Sequence, residues 1–325
     1  MRFLGLHLPS FSFAGVGAAG LFPRVVEIAA TAERCGFTAL SVMDHFHQIA
    51  PHGEPDEPML EAYSTLGAIA ARTERLQLLT LVTGVIYHNP AHLAKTVTTL
   101  DVISGGRAIL GIGAAWNDEE SRAYGFEFPP IGERLDRLEE AVRICRAMLD
   151  APTATFEGRH YRVEGAHNVP RPVRARVPIL IGGNGERRTL RLVARHADLC
   201  NVIGDAATVR HKLEVLGEHC EAEGRDVAEI VKTAHAGTVV IDETDAGVRR
   251  RLESLAASPP PLLRGLDVDQ LSRQLVAGTP DQVSERLHEF IDAGADGLTL
   301  RICGVEDLEP IELVATAARG AGLTG

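Results

Sequence analysis

The sequence predicts the α/β class and, within it, a (β/α)8 TIM barrel with insertions after the fourth and seventh strands. Three observations carry this. Short β-rich runs and amphipathic helical runs alternate eight times along the 325 residues, the pattern of a parallel sheet wrapped by helices. Several strand runs are apolar throughout, as strands buried on both faces are. The stretch after the first strand carries Gly15, Gly17 and Gly20 at dinucleotide-binding spacing, but a Pro-Ser-Phe-Ser-Phe-Ala segment precedes them. That is not the tight turn an open nucleotide-binding sheet requires. No Pro/Ser-rich linker divides the chain, so 1–325 reads as one domain.

The first strand is expected at 2–8. The helix after it sets Leu21, Val25, Ile28, Ala29, Ala32 and Cys35 on one face and stops at Gly36, a residue suited to a left-handed C-cap. A second strand at 38–43 precedes a helix at 59–72, and a Leu- and Val-rich third strand covers 76–83. Pro90 opens the next helix, where its missing N–H costs little, and Gly105-Gly106 ends it. The fourth strand is 108–113. A short helix near 118–124 and a longer one at 133–149 follow. The longer carries Leu135, Leu138, Val142, Cys145 and Leu149 inward, with Glu133/Arg137 and Glu139/Arg143 four apart on the wet side.

A hairpin at 154–163, turning at Glu157-Gly158-Arg159, reads as an insertion. Strand five (177–181), helix (186–195), strand six (198–203) and helix (207–223) come next, and strand seven lies within 231–241. Residues 242–279 read as helical and irregular, broken at Pro259-Pro260-Pro261. A helix at 281–293, a strand at 297–302 and a helix at 308–319 complete the count.

Composition narrows the function. Hydrophobic residues are 45% and charged residues 24%, ordinary for a globular enzyme. The net charge of -11 argues against nucleic acid as a partner. No run of 18 apolar residues and no signal-type N-terminus is present, so no membrane partner is expected and the protein is expected in the cytoplasm. Five scattered cysteines without a CxxC pair speak against a disulfide framework or structural zinc.

A barrel confines chemistry to the C-terminal ends of its strands. Strand two ends in Asp44-His45-Phe46-His47, where an acid beside a histidine offers orientation and proton transfer together. The His45/His47 pair also has metal-ligand spacing, but no partner ligand stands at the ends of strands five or eight. Thr80 and Thr83 offer hydroxyls at the end of strand three. Strand four ends in Gly113-Ala114-Ala115-Trp116-Asn117, small residues that admit a close ligand, then the only tryptophan. After strand five, Gly183-Asn184-Gly185-Glu186 runs toward a helix, with Arg187, Arg188, Arg191 and Arg195 beyond. Free N–H groups, a helix dipole and nearby cations suit a phosphate.

These blocks resemble the bacterial luciferase-like superfamily and, within it, the coenzyme F420-dependent oxidoreductases. The resemblance runs through Gly36-Phe37 to Asp44-His45-Phe46, Leu78-Leu79-Thr80-Leu81-Val82-Thr83-Gly84 and His88-Asn89-Pro90, then Thr99 to Arg107 and Gly111 to Asn117. It continues with Pro129 to Glu140, Phe156 to Tyr161 and Ile181 to Gly185, and is strong to about residue 205. It implies a flavin-type ring at the barrel mouth and a homodimer, with the helices after strands two and three as interface candidates. It implies that Asp44 and His45 face the ring, that His45 moves the proton accompanying a hydride, and that Asp44 orients His45. Thr80-Leu81 matches a bulge, often with a non-proline cis peptide, behind the ring. Thr83 and the Gly113-Ala114-Ala115 backbone would flank ring and tail, Asn117 would reach the ribityl chain, and Gly183 to Glu186 would hold the phosphate. Trp116 departs from the pattern: some deazaflavin dehydrogenases place a second acid, Glu, there.

The function implied is hydride transfer between coenzyme F420 and a small organic substrate. An FMN-dependent monooxygenase of the same superfamily is the alternative, and a non-catalytic flavin carrier a rival of another class. Substrate choice is expected from 46–58, 242–279, Trp116 and Asn201, with Phe46, Ile49 and Met59 as apolar lining or as core.

Overall fold

The computed structural model describes residues 3–323. Arg2, expected in the first strand, lies outside them. The barrel staves are β1 (Phe3–Leu8), β2 (Ala39–Val42), β3 (Gln77–Thr80) with β4 (Thr83–Gly84), β5 (Leu110–Gly113), β8 (Ile179–Gly182), β9 (Leu199–Ile203), β10 (Val231–Ile241) and β12 (Gly297–Ile302). Their order is β3-β2-β1-β12-β10-β9-β8-β5-β4. All these pairings are parallel. A bridge between Leu78 and Ala108 joins β3 to the approach of β5 and completes the ring.

Alternation along each stave sorts its side chains. Phe3, Ala39, Leu79, Ile109, Leu180 and Leu199 form one cluster filling the interior. Their neighbours Leu4, Leu40, Leu78, Leu110, Ile179 and Cys200 belong to the large cluster beneath the helices. Around the ring lie α1 (Ala18–Cys35), α2 (Ala62–Ala70), α3 (Pro90–Ser104), α4 (Asp118–Ala123), α5 (Ile131–Asp150), α6 (Thr189–His196), α7 (Ala206–Glu223), α10 (Pro280–Asp292) and α11 (Glu309–Gly320). The expected stripe of α1 buries Leu21, Val25 and Ile28, and Gly36 caps it at φ 96°. Each such side chain contributes roughly 1.5–3 kcal/mol. Asn89 accepts from Ala91 N and His92 N ahead of Pro90, so α3 starts where expected.

The two insertions are present. The hairpin is β6 (Thr153–Glu157) and β7 (Arg162–His167), antiparallel. Beyond β10 come α8 (Asp245–Ala257), α9 (Val268–Gln274) and a short strand, β11 (Val276–Gly278). Val240, Val248, Leu252, Leu263, Leu271 and Leu275 give this insertion a core of its own.

Three expectations need correction. The third strand, expected over 76–83, is broken where the resemblance implied a bulge: the non-proline cis peptide is Leu81–Val82, one bond beyond Thr80-Leu81, and it separates β3 from β4. β11 was not expected. It exists because β10 bulges between His235 and Thr238, where Gly237 takes φ 86°, and runs on to pair with it beyond the barrel. The helix after the fifth stave begins at Thr189, later than the expected 186. No helix among the described residues is long and apolar enough to cross a membrane.

Candidate active site

His45 follows β2 at the C-terminal mouth. Its Nδ1 lies 2.6 Å from Glu120 Oε2, and Glu120 is 0% exposed. The same carboxylate accepts from Phe46 N at 2.6 Å, His47 N at 3.3 Å and the Tyr87 hydroxyl at 3.0 Å. Burial alone would raise the Glu120 pKa, yet the hydrogen bonds from His45 and from the Phe46 and His47 amides outweigh it and hold the carboxyl below its ordinary value. A carboxylate only accepts, so the His45 proton sits on Nδ1 when the ring is neutral, and Nε2 is left for the mouth. Trp116, 59% exposed, stands edge-on to His45 with ring centroids 5.7 Å apart.

Asp44 does something other than expected. Its Oδ2 accepts from Gly84 N at 3.1 Å and from His88 Nε2 at 2.9 Å. Burial would lower the His88 pKa, but the bond and charge of Asp44 raise it. Asp44 therefore ties β2 to β4 and orients His88, while Glu120 orients His45. Sequence spacing could not pair Glu120 with His45, since the two lie 75 residues apart.

The threonines face the helix layer, on the side of Leu78 and α2. Thr80 Oγ1 bonds Thr83 Oγ1 at 2.7 Å and donates to Gly111 O at 3.0 Å, and Thr83 also bonds the Tyr63 hydroxyl at 2.7 Å. Both are at most 1% exposed, so these hydroxyls brace β3 and β4 rather than open onto the mouth. Val82 takes the position behind the site. A Cβ on Gly113 would meet Val82 Cγ2 at 2.7 Å and one on Gly182 would meet Val82 Cγ1 at 2.9 Å. Leu81 and Val82 pack on the interior cluster. The floor between β4, β5 and β8 is thus backbone and one valine. Ala114 and Ala115 continue it, Ala115 with φ 59°, a conformation a non-glycine residue rarely adopts outside functional sites.

Asn117 caps α4: its Oδ1 accepts from Glu120 N at 3.2 Å. That cap sets the helix carrying Glu120. In the fifth-stave loop, Gly183 has φ 136°. Asn184 is engaged with Ile203, donating to its O at 2.6 Å and accepting from its N at 2.9 Å. Gly185 lies against Thr189, whose Oγ1 an added Cβ would meet at 2.7 Å. Glu186 pairs with Lys212 at 2.5 Å and His211 at 3.0 Å, so its side chain anchors the loop to α7. The expected positive field is mostly spent: Arg188 pairs with Asp136, and Arg191 and Arg195 with Glu223.

Residues 46–58 and the insertion after β10 meet at the rim. Leu262 N donates to Ala50 O at 3.1 Å, and Arg264 pairs with Glu54. Phe46 stacks on Phe126 at 5.5 Å and packs against Tyr87 at 5.0 Å, and Ile49 is buried. Ile49 is therefore core, and Phe46 is a half-buried member of the aromatic cluster at the rim. Asn201 lies within the barrel, 3% exposed and bonded to Thr233 and Thr299. His47 Nδ1 turns to Gln48 O, and the described residues bring together no group of three metal-type ligands.

Residues 1–297 match the family described as luciferase-like monooxygenase. The F420-dependent glucose-6-phosphate dehydrogenase of Nocardia farcinica is 29% identical over 323 residues, covering 90% of this chain and 91% of the relative. An F420-dependent secondary alcohol dehydrogenase, solved with an F420-acetone adduct, superposes with a TM-score of 0.82 at 20% identity over 98% of this chain and 99% of that one. The EDTA monooxygenase of Chelativorans sp. BNC1 superposes with a TM-score of 0.83 at 19% identity, covering 99% and 93%. The family match, spanning both the His45 strand end and the glycine-lined floor, establishes that the chain belongs to the luciferase-like monooxygenase family.

Proposed function

We propose that the protein is a coenzyme F420-dependent oxidoreductase that exchanges a hydride with a small organic substrate at the barrel mouth. The observation that carries this is the His45–Glu120 pair at 2.6 Å, set beside a floor where Val82 seats on the glycines of β5 and β8. The residues fit a planar flavin-type ring. Because added Cβ atoms on Gly113 and Gly182 would collide with Val82, the glycines let Val82 seat against β5 and β8, and a ring would lie against that valine. When bound, the deazaflavin would accept the hydride in its oxidised form and supply it in its reduced form.

The chain supplies the proton and the positioning. Glu120 keeps Nδ1 of His45 protonated, so Nε2 takes a proton from a substrate hydroxyl or returns one to a carbonyl. A buried carboxylate also stabilises the imidazolium formed. Asp44 holds β4 in place through Gly84 N and is the other ring-facing candidate. Thr80, Leu81 and Thr83 support the floor, and Ala114, Ala115 and Asn117 shape its edge. The loop from Gly183 to Glu186 is proposed as the cradle for the cofactor phosphate through its backbone N–H groups. Trp116 walls the substrate side and, lacking a carboxyl, leaves His45 as the proton carrier there. The protein is further proposed as a cytoplasmic homodimer: Val102 and Ile103, 39% and 49% exposed on α3, are large apolar side chains on an expected interface helix.

Fluorescence titration with coenzyme F420 and with FMN tests the reading. Tight F420 binding with weak FMN binding supports it. The reverse preference, with substrate-coupled oxygen uptake, makes the protein an FMN-dependent monooxygenase. Binding of neither below about 0.1 mM, some -5.5 kcal/mol, overturns the cofactor assignment.

A further inference from the structure

Across the barrel from β4 and β5, the wall made by β1, β10 and β12 carries a cluster with no part in the arrangement above. Leu298, Leu300 and Ile302 face the helices, so Thr299 and Arg301 face the interior by the two-residue period of the strand. Arg301 is the last inward side chain of β12 at the mouth and is partly buried. Its Nη1 donates to His52 Nδ1 at 2.9 Å and to Pro51 O at 3.3 Å. Among the described residues its Nε and Nη2 have no hydrogen-bond partner, and no carboxylate lies within ion-pair distance of it.

Neutral polar rings surround this cation. His235 and His7 stand edge-on with centroids 5.5 Å apart. His235 Nδ1 bonds Thr299 Oγ1 at 3.1 Å, and His7 Nδ1 bonds Ser41 Oγ at 2.9 Å. Burial first, then the neighbouring positive charges including Arg301, push the pKa of His52 down to about 3 and that of His235 to about 4, and lower His7 as well. The wall thus gathers hydrogen-bonding rings about a guanidinium with no ion-paired carboxylate, Glu57 acting on it only at longer range, in a chain with 44 acidic against 33 basic side chains. A desolvated cation without an anion is costly, and its free Nε/Nη2 edge is a fork matched to two oxygens of one group.

We propose that this wall is an oxyanion subsite of the active site, in which Arg301 takes a carboxylate or phosphoryl group carried by the substrate. The claim rests on the functional reading only in placing substrate at this mouth. The same group could come from the cofactor, but the proposed phosphate loop after β8 is separated from β12 by β9 and β10, so the substrate is the assigned source.

The test is calorimetric titration of inorganic phosphate and of succinate into wild-type, Arg301→Met and Arg301→Lys protein, with and without saturating cofactor, beside a thermal melt of each. The expected result is at least tenfold weaker binding in Arg301→Met, an intermediate loss in Arg301→Lys, and binding retained in the cofactor-loaded wild type. Phosphate should raise the melting temperature of wild type and leave that of Arg301→Met unmoved. Equal binding in folded wild type and Arg301→Met overturns the proposal and leaves Arg301 as a clamp on Pro51. Should Met at 301 prevent folding, the Lys variant decides: unchanged affinity overturns the subsite. Loss of anion binding on cofactor saturation assigns the wall to the cofactor and overturns the substrate assignment. If neither F420 nor FMN binds while anion binding still depends on Arg301, the functional reading fails and the subsite stands.

Discussion

Glu120→Gln is the most informative perturbation of the site. The carboxylate is fully buried and accepts from His45 Nδ1, Phe46 N, His47 N and the Tyr87 hydroxyl. A glutamine has the same shape but one accepting oxygen, so its amide N–H must face at least one of these donors. Hydrogen bonds to a buried charge contribute about 1.5–3 kcal/mol each. Losing the equivalent of one should lower unfolding stability by about 2–3 kcal/mol, read as a fall in the urea midpoint. The effect on turnover follows from the charge. Removing the carboxylate removes the group that favours the His45 imidazolium, so turnover should fall by about 10–10²-fold. F420 affinity should stay within a few-fold, because Glu120 lies behind His45. Unchanged turnover would refute the claim that Glu120 positions His45 for proton transfer.

Other expectations follow from the same coordinates. His45→Ala should keep F420 affinity within a few-fold in a fluorescence titration while cutting turnover by about 10² or more; full activity in that variant removes His45 from the mechanism. Gly182→Ala should cost about 1–3 kcal/mol, since its Cβ would meet Val82 Cγ1 at 2.9 Å, and Val82→Ala in the same chain should restore part of the loss; additive costs would show that the two do not touch. His52 and His235 titrate near 3 and 4 when folded but near 6.5 when unfolded. The unfolded chain therefore binds more protons below pH 6.5, and stability falls as pH drops from 6.5 toward 4, by about 1.4 kcal/mol per unit for each ring. Urea midpoints at pH 7 and pH 5 should differ less in His235→Gln than in wild type, and an equal difference would exclude His235 as a source.

The elements were legible because their signals are local. The α1 stripe ends at Gly36, whose left-handed conformation is the one a glycine adopts freely, and Asn89-Pro90 starts α3 with a cap and a locked φ. Some blocks behind the family resemblance proved to carry the fold rather than the site. Arg107 donates to Ser104 O, Leu76 O, Ala70 O and Thr73 O where α2 and α3 end, away from the mouth. Glu140 accepts from the amides of Arg159, His160 and Tyr161 and so pins the hairpin turn to α5. Composition and period could not distinguish such structural anchors from ligand contacts, since both are charged residues at the edges of elements.

By itself the sequence determined the barrel, its insertions and the strand ends where chemistry could sit. Strand period, helix period and caps depend on residues within a few positions of one another. Tertiary structure alone decided the partners. It gave His45 to Glu120 and His88 to Asp44, turned Thr80 and Thr83 toward Tyr63 of α2, brought Val82 against glycines of two other strands, and left Arg301 without a paired carboxylate. Closing a barrel brings together residues that the chain separates by tens of positions. Which side chains then meet depends on strand register, which leaves no mark in the spacing of nearby residues, and on the break between β3 and β4, which the family resemblance alone signalled.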